Sequence, residues 1–315
     1  MNKIAVVALG GNALLRGDET GTIEQQEKHT LETCEKLIGL LRNGFNLVLT
    51  HGNGPQVGNI LLRNEAGYNQ FNIPKMPLDI CVADSQGGIG YMIERQMRNA
   101  MSKTDIQRNV LAIITQVLID INDPAFQNPT KPIGRFYSKE EADDLYRRKG
   151  WIFKEDSAKR GWRRVVPSPR PVDIMNKQVI KEMVERGHIV IGVGGGGIPV
   201  YWHQDTKYLE AIEAVIDKDL ASGLLASEIN ADRFYIITDV PKVYINYKKD
   251  NQKQLDKLTV TEARKLYDDG QFPPGSMGPK ILAAIQFVEK TGNEAVITNE
   301  EEIEKDNCGT RIIPS

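Results

Sequence analysis

The chain has 315 residues, 40% hydrophobic and 26% charged, with a net charge of −2. That length buries a large core, in one domain or in two closely packed lobes. The near-neutral charge gives no reason to expect nucleic acid or an anionic membrane as partner, and no apolar run is long enough to span a bilayer.

Ile4 to Leu9 is a short apolar run rich in branched residues and predicts a buried strand. It ends in Gly10-Gly11-Asn12, which is either a tight turn or a concave row of N–H donors suited to phosphate oxygens. Thr22-Ile-Glu-Gln25 has capping-box spacing. Leu31, Cys34, Leu37, Ile38 and Leu41 then fall at helical intervals, with Gly44 where a helix C′ glycine belongs. Phe45 to Thr50 follows as a second strand. Strand, helix and strand in fifty residues make a crossover unit with parallel pairing. His51-Gly-Asn-Gly-Pro-Gln-Val-Gly58 is another glycine turn opening a helix, and His51 reads as a loop histidine bonded to backbone rather than as a catalyst. Pro77 to Met101 predicts a helix. Its Gln86-Gly-Gly-Ile-Gly90 is unusual, since each glycine costs about 1 kcal/mol against alanine; close packing, a ligand or a second subunit would each explain it. Val110 to Asp120 is expected as a third strand.

Residues 122–170 break the pattern, with two of the three tryptophans, several prolines, and twelve basic residues against seven acidic. The segment reads as a small inserted subdomain with a mostly solvated charged face. Lys131, between Pro129 and Pro132, stands on a restricted backbone and is the exception in that face; on spacing alone a surface charge stays a live alternative for it. Asp173 is placed as the cap of a helix carrying Ile180, Met183 and Val184. His188 to Val193 is a strand ending in Gly194-Gly-Gly-Gly197. The Gly-x-Gly-x-x-Gly there is not a dinucleotide fingerprint, because Ile198-Pro-Val-Tyr follows where a helix is required. Val215-Ile-Asp-Lys-Asp219 opens a helix, with Lys218 oddly placed at its positive end. Phe234 to Asp239 is a strand, Thr259-x-x-Glu262 a second capping box, and Gly275-Ser-Met-Gly-Pro-Lys280 a further helix start with an early proline. Glu294 to Thr298 and Thr310 to Ile313 complete the sheet.

Ligands of open parallel sheets bind outside the carboxyl ends of the strands. One edge should therefore collect the glycine turns with Lys131, Lys218 and Lys280. No P-loop, protein-kinase set or Gly-x-Ser-x-Gly elbow is present. The four histidines and the cysteines Cys34, Cys81 and Cys308 form no metal-ligand pattern. Odd, scattered thiols fit a reducing compartment, and Met1-Asn2-Lys3 runs straight into the first strand without a signal peptide, so a cytoplasmic protein is expected. Backbone donors, several cations and no nucleophile–base pair point to phosphoryl transfer, which needs positioning and charge neutralisation above all.

Ala8 to Ala13, His51 to Gly58, Asn128 to Gly134, Val215 to Asp219 and Gly275 to Lys280, in that order and followed by Cys308-Gly-Thr-Arg-Ile, resemble the carbamate kinases of the amino acid kinase superfamily. The resemblance implies an α/β fold, a three-layer αβα sandwich around a mainly parallel, roughly eight-stranded sheet, in a homodimer. It implies an acceptor lobe over 1–225 carrying the insert at 122–170, and a nucleotide lobe over 226–315. The implied reaction is reversible transfer of the ATP γ-phosphoryl group to carbamate with Mg²⁺, giving ADP and carbamoyl phosphate, and run toward ATP in arginine breakdown. Gly10, Gly11 and Asn12 would embrace the moving phosphoryl group, and Gly52, Asn53 and Gly54 the carbamate side. Lys131 would close over the site, Lys218 and Lys280 would neutralise phosphate oxygens, and Asp219 would orient them. Thr238, Asp239, Tyr244, Met277 and Gly278 match the nucleotide's neighbourhood; Mg²⁺ ligands stay unassigned. Carbamate's attacking oxygen is already anionic, so no general base is needed, and the difficulty is two anions meeting. The rivals are a sister kinase with a larger acceptor, which an assay with carbamoyl phosphate separates, and a nucleotide-binding sensor without turnover.

Overall fold

Along β1 (Lys3–Leu9), Ile4, Val6 and Ala8 enter one apolar core while Ala5, Val7 and Leu9 enter another. A strand apolar on both faces must lie inside a sheet covered on both sides. The computed structural model describes residues 3–15, 19–156, 159–305 and 307–315. After β1 come α1 (Ile23–Arg42), β2 (Phe45–His51), α2 (Gln56–Phe71), α3 (Leu78–Met101), β3 (Val110–Ala112) and β4 (Gln116–Ile119). Next are β5 (Lys131–Tyr137), α4 (Lys139–Lys149), β6 (Ile152–Glu155), β7 (Trp162–Val166), β8 (Pro171–Ile174), α5 (Lys177–Glu185) and β9 (Ile189–Ile191). Then follow β10 (Ile198–Trp202), β11 (Leu209–Ala211), α6 (Lys218–Glu228), β12 (Arg233–Ile237), β13 (Val243–Ile245) and β14 (Lys253–Leu255). The chain finishes with β15 (Lys257–Thr259), α7 (Val260–Asp268), α8 (Met277–Thr291), β16 (Glu294–Thr298) and β17 (Thr310–Ile313).

Eight strands form the main sheet in the order β15-β17-β16-β12-β1-β2-β9-β3, parallel except between β16 and β17. Helices α5 to α8 cover one face and α1 with α3 the other, giving the expected three layers. Both predicted capping boxes form, at Thr22 and at Thr259, and Ser138 with Glu141 makes a third at α4. Among the described residues no helix is long and apolar enough to cross a membrane.

Two local expectations are corrected. The strand predicted from Val110 to Asp120 is two strands in different sheets: β3 joins β9 in the main sheet, and β4 joins the four-stranded sheet β11-β10-β4-β8. The break falls at Thr115, whose N–H donates to Gln86 Oε1 at 2.8 Å and whose carbonyl accepts from Gln86 Nε2 at 3.1 Å. A buried side-chain amide thus takes the place of a ladder partner. Asp173 does not cap α5; it lies on β8 and pairs with Lys177 at 2.5 Å, and the cap position falls to Asn176.

The chain leaves the body after β4 and returns at β8, which pair antiparallel with Ile119 opposite Pro171. Between them, β5-β7-β6 form a separate three-stranded sheet carrying α4. This sheet meets the body where α2 faces β5. A Cβ on Gly58 would stand 2.8 Å from Gly134 Cα, so the two backbones touch directly.

Candidate active site

The strands β1, β2 and β12 all end toward one rim of the sheet. Gly10 leaves β1 so close to β12 that a Cβ there would lie 2.6 Å from the Ile237 carbonyl oxygen, so a side chain would collide with β12 unless the strand ends moved. A cleft of about 370 Å³ opens beside it, lined by Gly10, Gly11, Thr238, Asp239, Ser276 and Lys280 among others. A second cleft, of about 760 Å³, is walled by Gly52, Asn53, Gly54, Lys131, Lys218, Asp219 and Lys280 together with parts of the three-stranded sheet. The two share Gly275, Ser276 and Lys280, so Lys280 stands at their junction.

The charges are arranged around the start of α6. Asp217 caps that helix by accepting the N–H groups of Asp219 at 2.9 Å and Leu220 at 3.3 Å through Oδ1, the role that aspartate fills well at an N-cap. Its other oxygen takes Lys131 Nζ at 2.9 Å, which ties the start of β5 to the body. Asp219 is buried and receives one ammonium on each oxygen, Lys218 at 2.6 Å and Lys280 at 2.8 Å. Burial alone would raise its pKa, but the two cations overrule burial and hold the carboxyl at about 2. Burial, opposed by Asp219 and reinforced by Lys280, pushes Lys218 below the ordinary lysine range. Two ammonium groups share one carboxylate beside the positive end of a helix, which leaves a local positive charge suited to an anion.

Neutral donors complete the larger cleft. Asn53 lies with its Oδ1 2.8 Å from the Ser85 hydroxyl and its Nδ2 3.3 Å from the Gly195 carbonyl oxygen. Gly195 has φ +69°, and a Cβ on it would sit 2.0 Å from Asn53 Oδ1. His51 ends β2, almost fully buried, and donates from Nδ1 to the Gly52 carbonyl at 2.8 Å. Burial lowers its pKa to about 4, with Lys218 adding to the effect and the carbonyl bond opposing it. The ring is therefore neutral at ordinary pH and bonded to backbone.

Of the residues singled out from the sequence, Gly10, Gly11, Gly52, Asn53, Gly54, Lys131, Lys218, Asp219, Thr238, Asp239 and Lys280 line one cleft or the other. The side chain of Asn12 lies outside the described residues. Tyr244, Met277 and Gly278 line neither cleft. Tyr244 packs its ring 5.9 Å from that of Tyr247, Met277 rests against the core, and Gly278 donates its N–H to the Pro273 carbonyl at 2.9 Å. Sequence reasoning passed over Asp217, although an aspartate directly before a helix is a recognisable cap. It also passed over Ser85, which only the packing of α3 against Asn53 brings into view, whereas the Gly194–Gly197 run is expected from sequence as a place where backbone can approach a small ligand, and Gly195 does line the larger cleft.

The amino acid kinase family model matches residues 3–299. The carbamate kinase of Pyrococcus furiosus is 47% identical over 317 residues, covering 100% of both chains. That of Trichomonas vaginalis is 45% identical, covering 98% of this chain and 99% of the relative. Among solved structures, carbamate kinase from Giardia lamblia bound to AMP-PNP superposes with a TM-score of 0.92 at 43% identity, over 100% of this chain and 99% of that one. The chain belongs to the amino acid kinase family, among its carbamate kinases.

Proposed function

We propose that this phosphotransferase moves the γ-phosphoryl group of ATP to carbamate, reversibly, giving ADP and carbamoyl phosphate. The observation that carries this reading is Lys280 at the junction of two clefts, sharing Asp219 with Lys218, one cleft bordered by Gly10, Thr238 and Asp239 and the other by Gly52 to Gly54. The nucleotide's phosphates would enter from the smaller cleft and the acceptor from the larger, so that the transferred group passes Lys280. Gly10 and Gly11 offer backbone N–H groups at that point. Lys218 and Lys280 would cancel the charge that builds on the equatorial oxygens, and Lys131 would meet the acceptor from the side of the three-stranded sheet. No side chain needs to remove a proton from carbamate, and the neutral, buried His51 is in keeping with that. Mg²⁺ would come with the nucleotide substrate and would help neutralise its phosphate charge; among the described residues no cluster of three or more His, Cys, Asp or Glu gathers to hold a metal unaided.

On this reading residues 1–225 serve the acceptor, with the insert at 122–170 above it on its own small sheet, and 226–315 serve the nucleotide; both lobes contribute strands to the eight-stranded sheet. A cytoplasmic homodimer running toward ATP in arginine breakdown suits the chemistry. A face for self-association is supplied by α3, where Gly87 and Gly88 have nothing within 4 Å of a built Cβ and stand in line with exposed Ile80 and Tyr91. The deciding experiment is a coupled assay for ATP formed from ADP and carbamoyl phosphate by the purified protein. Absence of ATP alongside good ADP binding would favour the sensor instead.

A further inference from the structure

Six basic side chains line the larger cleft: Lys131, Arg135, Arg160, Arg163, Lys218 and Lys280. Five of them hold a carboxylate. Lys131 has Asp217, Arg135 has Glu141, Arg160 has Asp156, and Lys218 and Lys280 share Asp219. Among the described residues, Arg163 is the one cation of this wall with no ion pair. Its Nη2 donates to the Gly134 carbonyl at 3.0 Å, its Nε is buried without a hydrogen-bond partner, and its guanidinium carbon lies 5.4 Å from the centre of the Phe136 ring. Burial, then the nearby Arg160, pushes its pKa below the ordinary arginine range, yet a guanidinium stays charged in proteins.

The neighbouring residue on β7 shows what a purely structural arginine looks like here. Successive strand residues face opposite ways, and Arg164 turns to the far side, where it is paired with Glu213 and lies 4.0 Å from the centre of the Trp151 ring. Arg163 faces the cleft with a single backbone bond. The lysines offer less free charge than their number suggests, because Lys131, Lys218 and Lys280 are set against Asp217 and Asp219, three positive charges against two negative. Two reacting anions bring more negative charge than that surplus.

We propose that Arg163 is a substrate-contacting residue whose guanidinium binds the phosphoryl oxygens of the acceptor-side substrate, carbamoyl phosphate in the ATP-forming direction. The assignment rests on the phosphoryl-transfer reading above for the identity of that anion. A planar fork of donors suits a phosphate group better than an ammonium does, and Arg163 keeps guanidinium donors beyond the one bond it gives to Gly134.

Arg163→Ala and Arg163→Lys, compared with the wild type, test it through steady-state kinetics and calorimetric binding of inorganic phosphate. The alanine variant should raise both the KM for carbamoyl phosphate and the Kd for phosphate about 10–100-fold, the scale of a charge-assisted hydrogen bond, while the KM for ADP stays put. Lysine should recover part of the loss. Unchanged phosphate affinity and carbamoyl phosphate KM would overturn the proposal, as would a lowered melting midpoint with unchanged phosphate affinity, which would leave Arg163 only a clasp on Gly134. Should the alanine variant not fold, Arg163→Gln keeps a donor for Gly134 and carries the same comparison. Wild-type protein that binds phosphate but forms no ATP would count against the carbamate kinase reading alone, and the phosphate affinities would still decide Arg163.

Discussion

Asp219→Asn keeps the shape of the side chain and removes the charge that two buried ammonium groups share. The carboxyl is held at about 2 against an ordinary value of 3.8, and at 1.36 kcal/mol per pKa unit that depression is worth about 2 kcal/mol of folding stability. Its sign follows from the direction of the shift: the stabilisation is fully present above about pH 4 and disappears as pH falls through about 2. Stranding the two cations brings the whole loss to about 3–5 kcal/mol, the usual cost of breaking a buried ion pair from one side, and that figure includes the carboxylate's share. A loss of about 3–5 kcal/mol would lower the melting midpoint by roughly 5–8 °C for a chain of this size. Lys218, already depressed by burial, loses the carboxylate that opposes that depression. The basic limb of the activity profile should therefore move to lower pH, and kcat should fall by about 10²-fold or more. Phosphate should restore more stability to the mutant than it adds to the wild type, because it can stand where the carboxylate charge was. Thermal unfolding between pH 3 and 8, with and without phosphate, and a coupled ATP assay across the alkaline range measure all of this. A mutant with the wild-type midpoint and an unmoved basic limb would refute the claim that Asp219 holds the lysines by charge.

Lys218→Ala and Lys280→Ala should each lower kcat by about 10²–10³-fold with the fold intact by circular dichroism; near-normal turnover in both would remove the lysines from the mechanism. Lys131→Ala should mainly raise the KM for carbamoyl phosphate, and unchanged kinetics would make the three-stranded sheet's lysine a bystander to the chemistry. Gly10→Ala must push β1 or β12 aside, since its Cβ would meet the Ile237 oxygen at 2.6 Å; a weaker ADP affinity measured by calorimetry is expected, and wild-type affinity would show that the strand ends yield freely. With His51 at about 4 and neutral, kcat should show no histidine-like limb between pH 5.5 and 7.5, and a limb there that vanishes in His51→Gln would give the ring a role in turnover.

Much of this architecture was legible because its signals are local. The unbroken apolar run from Ile4 to Leu9, the Thr22 and Thr259 boxes, and Pro199 in place of a helix each act over a few residues. The lysines could be named because their spacing around prolines, a helix start and a glycine turn set them apart. Other features depend on distant partners. No pattern within 110–120 reveals that Gln86, on another helix, will intercept Thr115 and end a strand. Arg163 is hidden in a segment with twelve basic residues, and it becomes distinctive only when the carboxylates of the other five cleft cations are known. Tyr244, Met277 and Gly278 carry motif resemblance, yet their packing draws them to Tyr247, to the core and to Pro273 rather than to either cleft.

The central position of β1 has a consequence for how the molecule is made. Ala5 is paired with Leu47 on one side and with Arg233 on the other. During synthesis the first edge can be satisfied within fifty residues, whereas the second must wait until most of the polypeptide has emerged. Such distant pairing slows the search for the native state and leaves an apolar edge open to the wrong neighbour meanwhile. Refolding from denaturant should accordingly be slow and concentration-sensitive, with the β1–β12 seam among the last joined.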